Sequence, residues 1–353
     1  MGKNNQKNKR AGHKYSTGYS DNYEPLSPLD LSKVKTVNDL VNGMKTCSFG
    51  ARNLGEAADV FEAMVRDKDC LRVLTLSGAM TVAKMGLVIC DMIDHGLIHA
   101  VISTGALMAH GFVESVGKTH FKYKWDMNDE DLYEKGYDRV YDTLELEQNL
   151  DDVSFIVDEV LDKVDEKEIL CSYKINKLLG QYLNEKTKGR GILKSAFEKN
   201  VPVYVPAFTD SEIGLDVALH NRRRADSKRG QLNFNPFQDL DHFATKVREA
   251  KKIGIFTIGG GVPRNWAQQA ACYLDLINSR IGHGGDFKRY NYAVRICPEP
   301  VHWGGLSGCS YSESVSWGKI VPKSEGGMYA EVFDDATIAW PLIVKAVMER
   351  LKI

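Results

Sequence analysis

Short apolar runs of strand length alternate with stretches of helical periodicity from Leu54 to the C-terminus, and this alternation limits the fold more than any other feature of the sequence. LRVLTL (71–76), IHAVIS (98–103), VPVYVPAF (201–208), KIGIFTI (252–258) and YAVRI (292–296) are mainly apolar without strict alternation, as strands covered on both faces must be. Leu54, Ala57, Val60, Phe61 and Met64 recur at helical spacing, and helical stretches are predicted near 80–93, 236–251, 263–278 and 335–351. The pattern predicts an α/β fold: a Rossmann-like, mostly parallel sheet with helices on both faces, in a single large domain over 25–353. The acidic segment 126–168 is expected to form exposed helices inserted between sheet elements, its charges a solvated face.

Charge narrows the partners. The chain has 46 Lys and Arg against 47 Asp and Glu, so no whole-chain field favours nucleic acid or an anionic membrane. Residues 1–24 form a polar tail in which Lys3, Lys7, Lys9, Arg10 and Lys14 concentrate positive charge, expected to be solvated and flexible. No apolar run reaches the length of a membrane span and the start lacks a secretory core, which predicts a soluble, cytoplasmic protein. Gln6 stands where a myristoylation signal needs Ser or Thr. The 7 cysteines are odd in number and contain no CxxC pair, which fits reduced thiols used as small core residues.

In an open α/β sheet, ligands bind where strands end and helices begin, because backbone N–H groups and helix dipoles converge there. Ser77-Gly78-Ala79 follows LRVLTL, Thr104-Gly105-Ala106 follows IHAVIS, and Gly259-Gly260-Gly261 follows KIGIFTI, with Pro263 suited to a first helical turn. Such small residues let a pyrophosphate approach the backbone. None of these turns is a GxGxxG fingerprint, so ordinary tight turns explain them equally.

The stretch PEPVHWGGLSGCSYSESVSWGKI (298–320) is too polar and irregular for core. A lysine sheltered against an indole is a candidate nucleophile toward a carbonyl or imine, and Lys319 beside Trp317 fits that description. A surface lysine packed on Trp317 is the other reading.

SESVSWGKI (312–320) resembles the lysine motif of the deoxyhypusine synthase family. SFGARNLGEA (48–57), TLSGAMTVAKMG (75–86), ISTGA (102–106), VPAFTDSEIG (205–214), TIGGGVPRNWAQQA (257–270) and VFDDATIAWPLI (332–343) are similar to further family segments and follow in the family's order. The resemblance implies an NAD-dependent transferase that takes a 4-aminobutyl group from spermidine, carries it as an imine on Lys319 and passes it to an acceptor amine. It implies Glu313 and Asp210 as amine anchors, with Trp317, Asn265, Gln269, Ser307 and His110 along the substrate. It places Ser77, Gly78, Ala79, Ser103, Thr104, Gly105, Gly260, Gly304, Asp335 and Ala336 along NAD, and implies a homotetramer with cofactor sites at dimer interfaces.

This chain departs from the eukaryotic pattern at the amine pocket. Leu107, Met108, Ala109 and His110 replace a run with two glutamates and an aspartate, and Leu215 and Leu306 stand where aspartates are expected, although Asp216 follows. Asn265 replaces a histidine and Gln269 an asparagine. Lost carboxylates alter which polyamine binds and in which register. In these departures the chain resembles bacterial deoxyhypusine synthase-like proteins, which implies a small diamine acceptor such as putrescine, giving homospermidine. A lysine of translation initiation factor 5A is the alternative acceptor, and a non-catalytic NAD- or polyamine-binding protein is the alternative from another class. His110 reads either as an acid or base or as a structural cap. His95 and His99 have helical spacing but no third ligand, so no metal is expected.

Overall fold

The computed structural model describes residues 16–283 and 287–353; Lys3, Lys7, Lys9, Arg10 and Lys14 lie outside the described residues. In chain order its strands are β1 (Cys70–Leu76), β2 (Ala100–Ser103), β3 (Phe121–Lys122), β4 (Tyr137–Val140), β5 (Thr143–Leu146), β6 (Ile169–Leu170), β7 (Val203–Tyr204), β8 (Asn233–Phe234), β9 (Lys252–Ile258), β10 (Tyr292–Ile296) and β11 (Met328–Val332). Six of them form one sheet in the order β11-β10-β9-β1-β2-β7, and every neighbouring pair is parallel.

Both faces of that sheet are covered, as the apolar runs require. Leu74, Leu76, Phe256 and Ile258 face one core with helices Phe49–Arg66, Gly105–Ser115 and Ala336–Leu351. Val73, Ile253 and Ile255 face the other with helices Phe237–Glu249 and Gly261–Leu276. Register keeps the carboxyl ends level: Leu76 lies opposite Ser103 and Ile258, and Ile258 opposite Ile296. From β1 the chain runs to β2 and β7 on one side, then crosses to β9 on the other side of β1. That reversal opens a crevice above the ends of β1 and β9, the place where such sheets bind ligands.

Three expectations are corrected. The helix predicted near 80–93 begins only at Gly86, because Lys84 takes a left-handed φ of 65° that ends the preceding turn. VPVYVPAF contributes only Val203 and Tyr204 to the sheet; Pro202 and Pro206 have no N–H to donate. The acidic segment is not simply exposed helices. Between helices Asp129–Glu134 and Glu147–Leu161, β4 and β5 pair antiparallel, β3 joins them, and Glu145 on β5 is 1% exposed. No helix among the described residues is long and apolar enough to cross a membrane.

Candidate active site

Lys319 is set by a helix ending. Ser310 caps the short helix Tyr311–Ser316, its Oγ accepting from the Glu313 N–H at 3.0 Å. Gly318, at φ 68°, then turns the chain left-handed; its N–H reaches Val315 O, and the Lys319 N–H reaches Ser314 O at 3.1 Å. This is the Schellman pattern, and it makes Gly318 a conformational requirement of the motif. Lys319 is locked next to β10: Tyr290 N–H donates to Lys319 O at 2.9 Å and Val321 N–H to Tyr290 O at 2.9 Å. Its side chain turns inward. Lys319 is 9% exposed, its Nζ donates to Asn265 Oδ1 at 3.0 Å, and it lies 5.8 Å from the centre of the Trp317 ring.

Lys319 opens into a cleft of about 510 Å³. One wall is helix Gly261–Leu276, which presents Asn265, Gln268, Gln269, Cys272 and Asp275; Gly304, Glu313 and Trp317 come from the other side. Glu313 occupies the last position of a Ser-x-x-Glu capping sequence, where its carboxylate ordinarily returns to the cap N–H. Among the described residues it makes no such bond and lines the cleft instead. Two buried guanidiniums hold the loop opposite. Arg264 donates to Cys309 O at 2.6 Å and Leu306 O at 2.7 Å, and Arg295 donates to Ser307 O at 2.7 Å and Cys309 O at 2.8 Å while pairing with Glu331 at 2.7 Å. Five donors in a rigid fork suit arginine to this bracing of carbonyls.

The strand-end residues gather at the crevice on the same edge of the sheet. Gly260 N–H donates to Ser77 Oγ at 3.0 Å, joining the turns after β1 and β9, and Thr104 N–H donates to Leu76 O at 3.2 Å. Gly259 has φ 75°, and a Cβ there would lie 2.2 Å from Ser77 Oγ, so only glycine fits. Gly78 and Gly304 also have positive φ, and a Cβ on Gly304 would meet nothing within 4 Å: its backbone faces open space. Helices Gly105–Ser115 and Gly261–Leu276 start at this edge without side-chain caps, so their N–H groups remain available to an anion. Ala336 begins a third helix, capped by Asp335, whose Oδ1 accepts from Thr337 N–H at 2.7 Å. Bare glycine backbone beside uncapped helix starts fits a dinucleotide's pyrophosphate.

A family model for deoxyhypusine synthase matches residues 39–347. The chain belongs to the deoxyhypusine synthase family. It is 34% identical over 328 residues to "Probable deoxyhypusine synthase 2" of Methanosarcina acetivorans, covering 92% of this chain and 90% of that one. It is 33% identical over 326 residues to the "Deoxyhypusine synthase-like protein" of Chlorobaculum parvum, covering 91% and 88%. A protein from Entamoeba histolytica solved as a candidate deoxyhypusine synthase has the same fold, with a TM-score of 0.57 at 14% identity over 91% of this chain and 96% of that one. Deoxyhypusine synthases are transferases that move the aminobutyl group of spermidine.

Not every expected residue reaches the lysine cleft of this single chain. Asn265, Gln269, Gly304, Glu313, Trp317 and Lys319 line it. Ser307 lies behind the wall, its Cα 2.6 Å from where a Gly260 Cβ would stand. Asp210 does not line the cleft: it is exposed in the turn after β7, the edge of the sheet away from β10, and has no side-chain partner among the described residues. His110 likewise does not line this cleft. Helix Gly105–Ser115 aims it at the small antiparallel sheet, where Nδ1 lies 3.2 Å from Glu145 Oε2.

There His110, His120 and Glu145 bring three potential metal-ligand atoms together, where no metal was expected. Lys84 Nζ lies 2.8 Å from His120 Nδ1 and donates to it, which leaves the ring proton on Nε2, 2.6 Å from Glu145 Oε2 though out of line for an ideal bond. Glu145 Oε1 accepts from Asn149 Nδ2 at 2.8 Å and Leu146 N–H at 3.1 Å. Burial raises its carboxyl, but the contacts with His110, His120 and Asn149 outweigh it and hold it far below the usual range.

Sequence reasoning missed the bracing by Arg264 and Arg295, and missed Gln268, Cys272 and Asp275 on the cleft wall. The signal for the last three was available, since they continue the helical stripe of Asn265 and Gln269.

Proposed function

We propose that this chain transfers a 4-aminobutyl group from spermidine to an amine, with Lys319 as the covalent carrier and putrescine as the acceptor, forming homospermidine. The observation that carries the reading is the buried Lys319 Nζ, fixed by Asn265 in a cleft whose carboxylates, Glu313 and Asp275, have no ion-pair partner among the described residues. NAD⁺ bound across Ser77–Ala79, Ser103–Gly105, Gly260, Gly304 and Asp335–Ala336 would accept hydride from the carbon beside the secondary amine of spermidine and return it at the end.

The work of the chain's own residues follows from their positions. Lys319 Nζ, once deprotonated, adds to the electrophilic carbon left by hydride loss; the carbon–nitrogen bond to the aminopropyl fragment breaks, and that fragment leaves as diaminopropane with a proton. Asn265 Oδ1 orients the lysine by accepting one of its N–H bonds. Glu313 holds an ammonium of the donor, and Trp317 offers an aromatic face worth about 1–2 kcal/mol where water is excluded. The acceptor amine then adds to the lysine-bound carbon and releases Lys319 unchanged.

The departure at Leu306, which lines the cleft, supports a small acceptor, because it leaves fewer carboxylates there than a basic protein surface would need. The exposed, unpaired Asp210 suits the cleft of another protomer, in line with a homotetramer whose sites lie at dimer interfaces.

The test is incubation with NAD⁺ and spermidine, borohydride trapping and peptide mass spectrometry, followed by product analysis with added putrescine. An aminobutyl adduct on Lys319, absent in Lys319→Ala, and homospermidine as product are expected. An adduct without homospermidine, together with modification of an initiation factor 5A lysine, would replace the acceptor. No adduct would overturn the carrier role and favour a binding protein.

A further inference from the structure

We infer that Asp275 anchors one terminal ammonium of the polyamine, opposite Glu313, so that polyamine selectivity in this cleft is set by helix Gly261–Leu276. The inference rests on the reading of the cleft as a polyamine site and adds to it a residue that none of the resemblance-based expectations contained.

Asp275 and Glu313 reach the same cleft from different elements, and neither carboxylate has an ion-pair or hydrogen-bond partner among the described residues.

Placement supports the assignment. Asn265, Gln268, Gln269, Cys272 and Asp275 follow one face of the helix, and at about 1.5 Å per residue the stripe extends about 15 Å from Asn265 to Asp275. Lys319 grips the Asn265 end. Burial pushes the Cys272 thiol up, the Lys319 charge draws it down and Asp275 pushes it up again, so both charges lie within electrostatic reach of one thiol on the cleft wall. The cleft is lined by two cations, Lys319 and Arg264, the latter bonded to loop carbonyls, and by two anions with no partner among the described residues. A linear amine held at Lys319 would extend along this wall and carry one terminal cation toward Asp275. Leu306, which stands where the family pattern expects an aspartate, lines the same cleft and cannot serve this purpose, whereas Asp275 supplies a carboxylate from the facing helix.

The experiment compares full-length wild type, Asp275→Asn and Asp275→Glu by calorimetric titration with spermidine and with two truncated donors. N-propylputrescine lacks the ammonium of the aminopropyl arm, and N-butylpropanediamine lacks that of the aminobutyl arm. A charged hydrogen bond of this kind is worth about tenfold in affinity. Asp275→Asn is expected to weaken spermidine about tenfold, Asp275→Glu to keep most of the affinity, and only one truncated donor to be sensitive to the asparagine change. Unchanged spermidine affinity in Asp275→Asn, or equal loss on both truncated donors, would overturn the anchor. Because binding is read directly, the result stands whether or not Lys319 is found to carry an adduct, and the trapping experiment separately decides the reaction.

Discussion

Gly260→Ala tests whether the crevice and the lysine cleft are mechanically one site. Gly260 has φ 172°, outside the left-handed region, so the effect of the substitution rests on space alone. Its new Cβ would stand 2.6 Å from Ser307 Cα and 3.0 Å from Ser307 O, against the 3.4–4 Å of ordinary contact. Both are main-chain atoms, and Arg295 holds that carbonyl at 2.7 Å, so the strain cannot be relieved by a rotamer change. Overpacking of this kind costs about 1–3 kcal/mol. With an unfolding entropy near 2.1 cal/mol/K per residue, a chain of this length would lose only about 1–4 °C in Tm. The larger effect should be on binding: loop 300–309 must shift, taking Gly304 from the crevice and Leu306 from the cleft wall. NAD⁺ affinity is expected to fall about tenfold, equivalent to about 1.4 kcal/mol. Thermal melts and cofactor titration read the two effects, with Gly189→Ala as control because its Cβ would meet nothing within 4 Å. Wild-type NAD⁺ affinity in Gly260→Ala would refute the coupling of the β9 turn to the loop.

Arg295→Met, which leaves Glu331 without its partner and frees the loop carbonyls, should destabilise by about 3–5 kcal/mol in urea unfolding, while Arg295→Met with Glu331→Leu recovers most of the loss; equal loss in both would show that the ion pair is not the source. His99 is held down to about 4 by burial and then by Arg72, so between about pH 6.5 and 4 the unfolded chain binds the extra proton and stability falls as pH drops, by about 1–3 kcal/mol in all. His99→Asn should flatten that part of the stability profile, and an unchanged slope would exclude the histidine as its cause. Asn265→Asp puts a carboxylate about 3 Å from Lys319 Nζ and favours its ammonium form, so the acid limb of the rate profile should move up by about 1–3 pH units with recovery at high pH; a uniform loss at every pH would contradict the role given to Lys319.

The parts of the fold set by local pattern were legible. β9 and β10 were readable at their observed bounds because a fully buried parallel strand has no alternation to confuse, and the small residues after β1, β2 and β9 marked the binding edge. Gly318 and Lys319 were legible as a motif, although the reason for the glycine, its place in a Schellman turn, required the backbone. What failed depended on distant contacts. Glu145 sits in an acidic run that reads as solvated, yet two histidines from another part of the chain make its burial tolerable. Arg264 and Arg295 are far in sequence from the carbonyls they brace, and periodicity carries no trace of such bonds. Asp210 was identified by motif resemblance, which reports what a residue does in the family and not whether a single chain brings it to the cleft.

The proposed hydride transfer and carrier chemistry would require the dinucleotide and the lysine to act on the same carbon chain, and helix Gly261–Leu276 is placed to supply the common frame. Its uncapped start lies at the β9 turn, joined to β1 through Ser77, and its flank carries Asn265, Gln269, Cys272 and Asp275 along the lysine cleft. A rigid helix transmits position along its length, so a change at the cofactor turn displaces the groups that orient Lys319 without touching them. Arg264, on the same helix, fastens the opposite wall through Leu306 O and Cys309 O, which ties the width of the cleft to the pose of the helix. On that reading, the inferred anchor at Asp275 would replace a carboxylate at Leu306 while the frame between the crevice and Lys319 is kept.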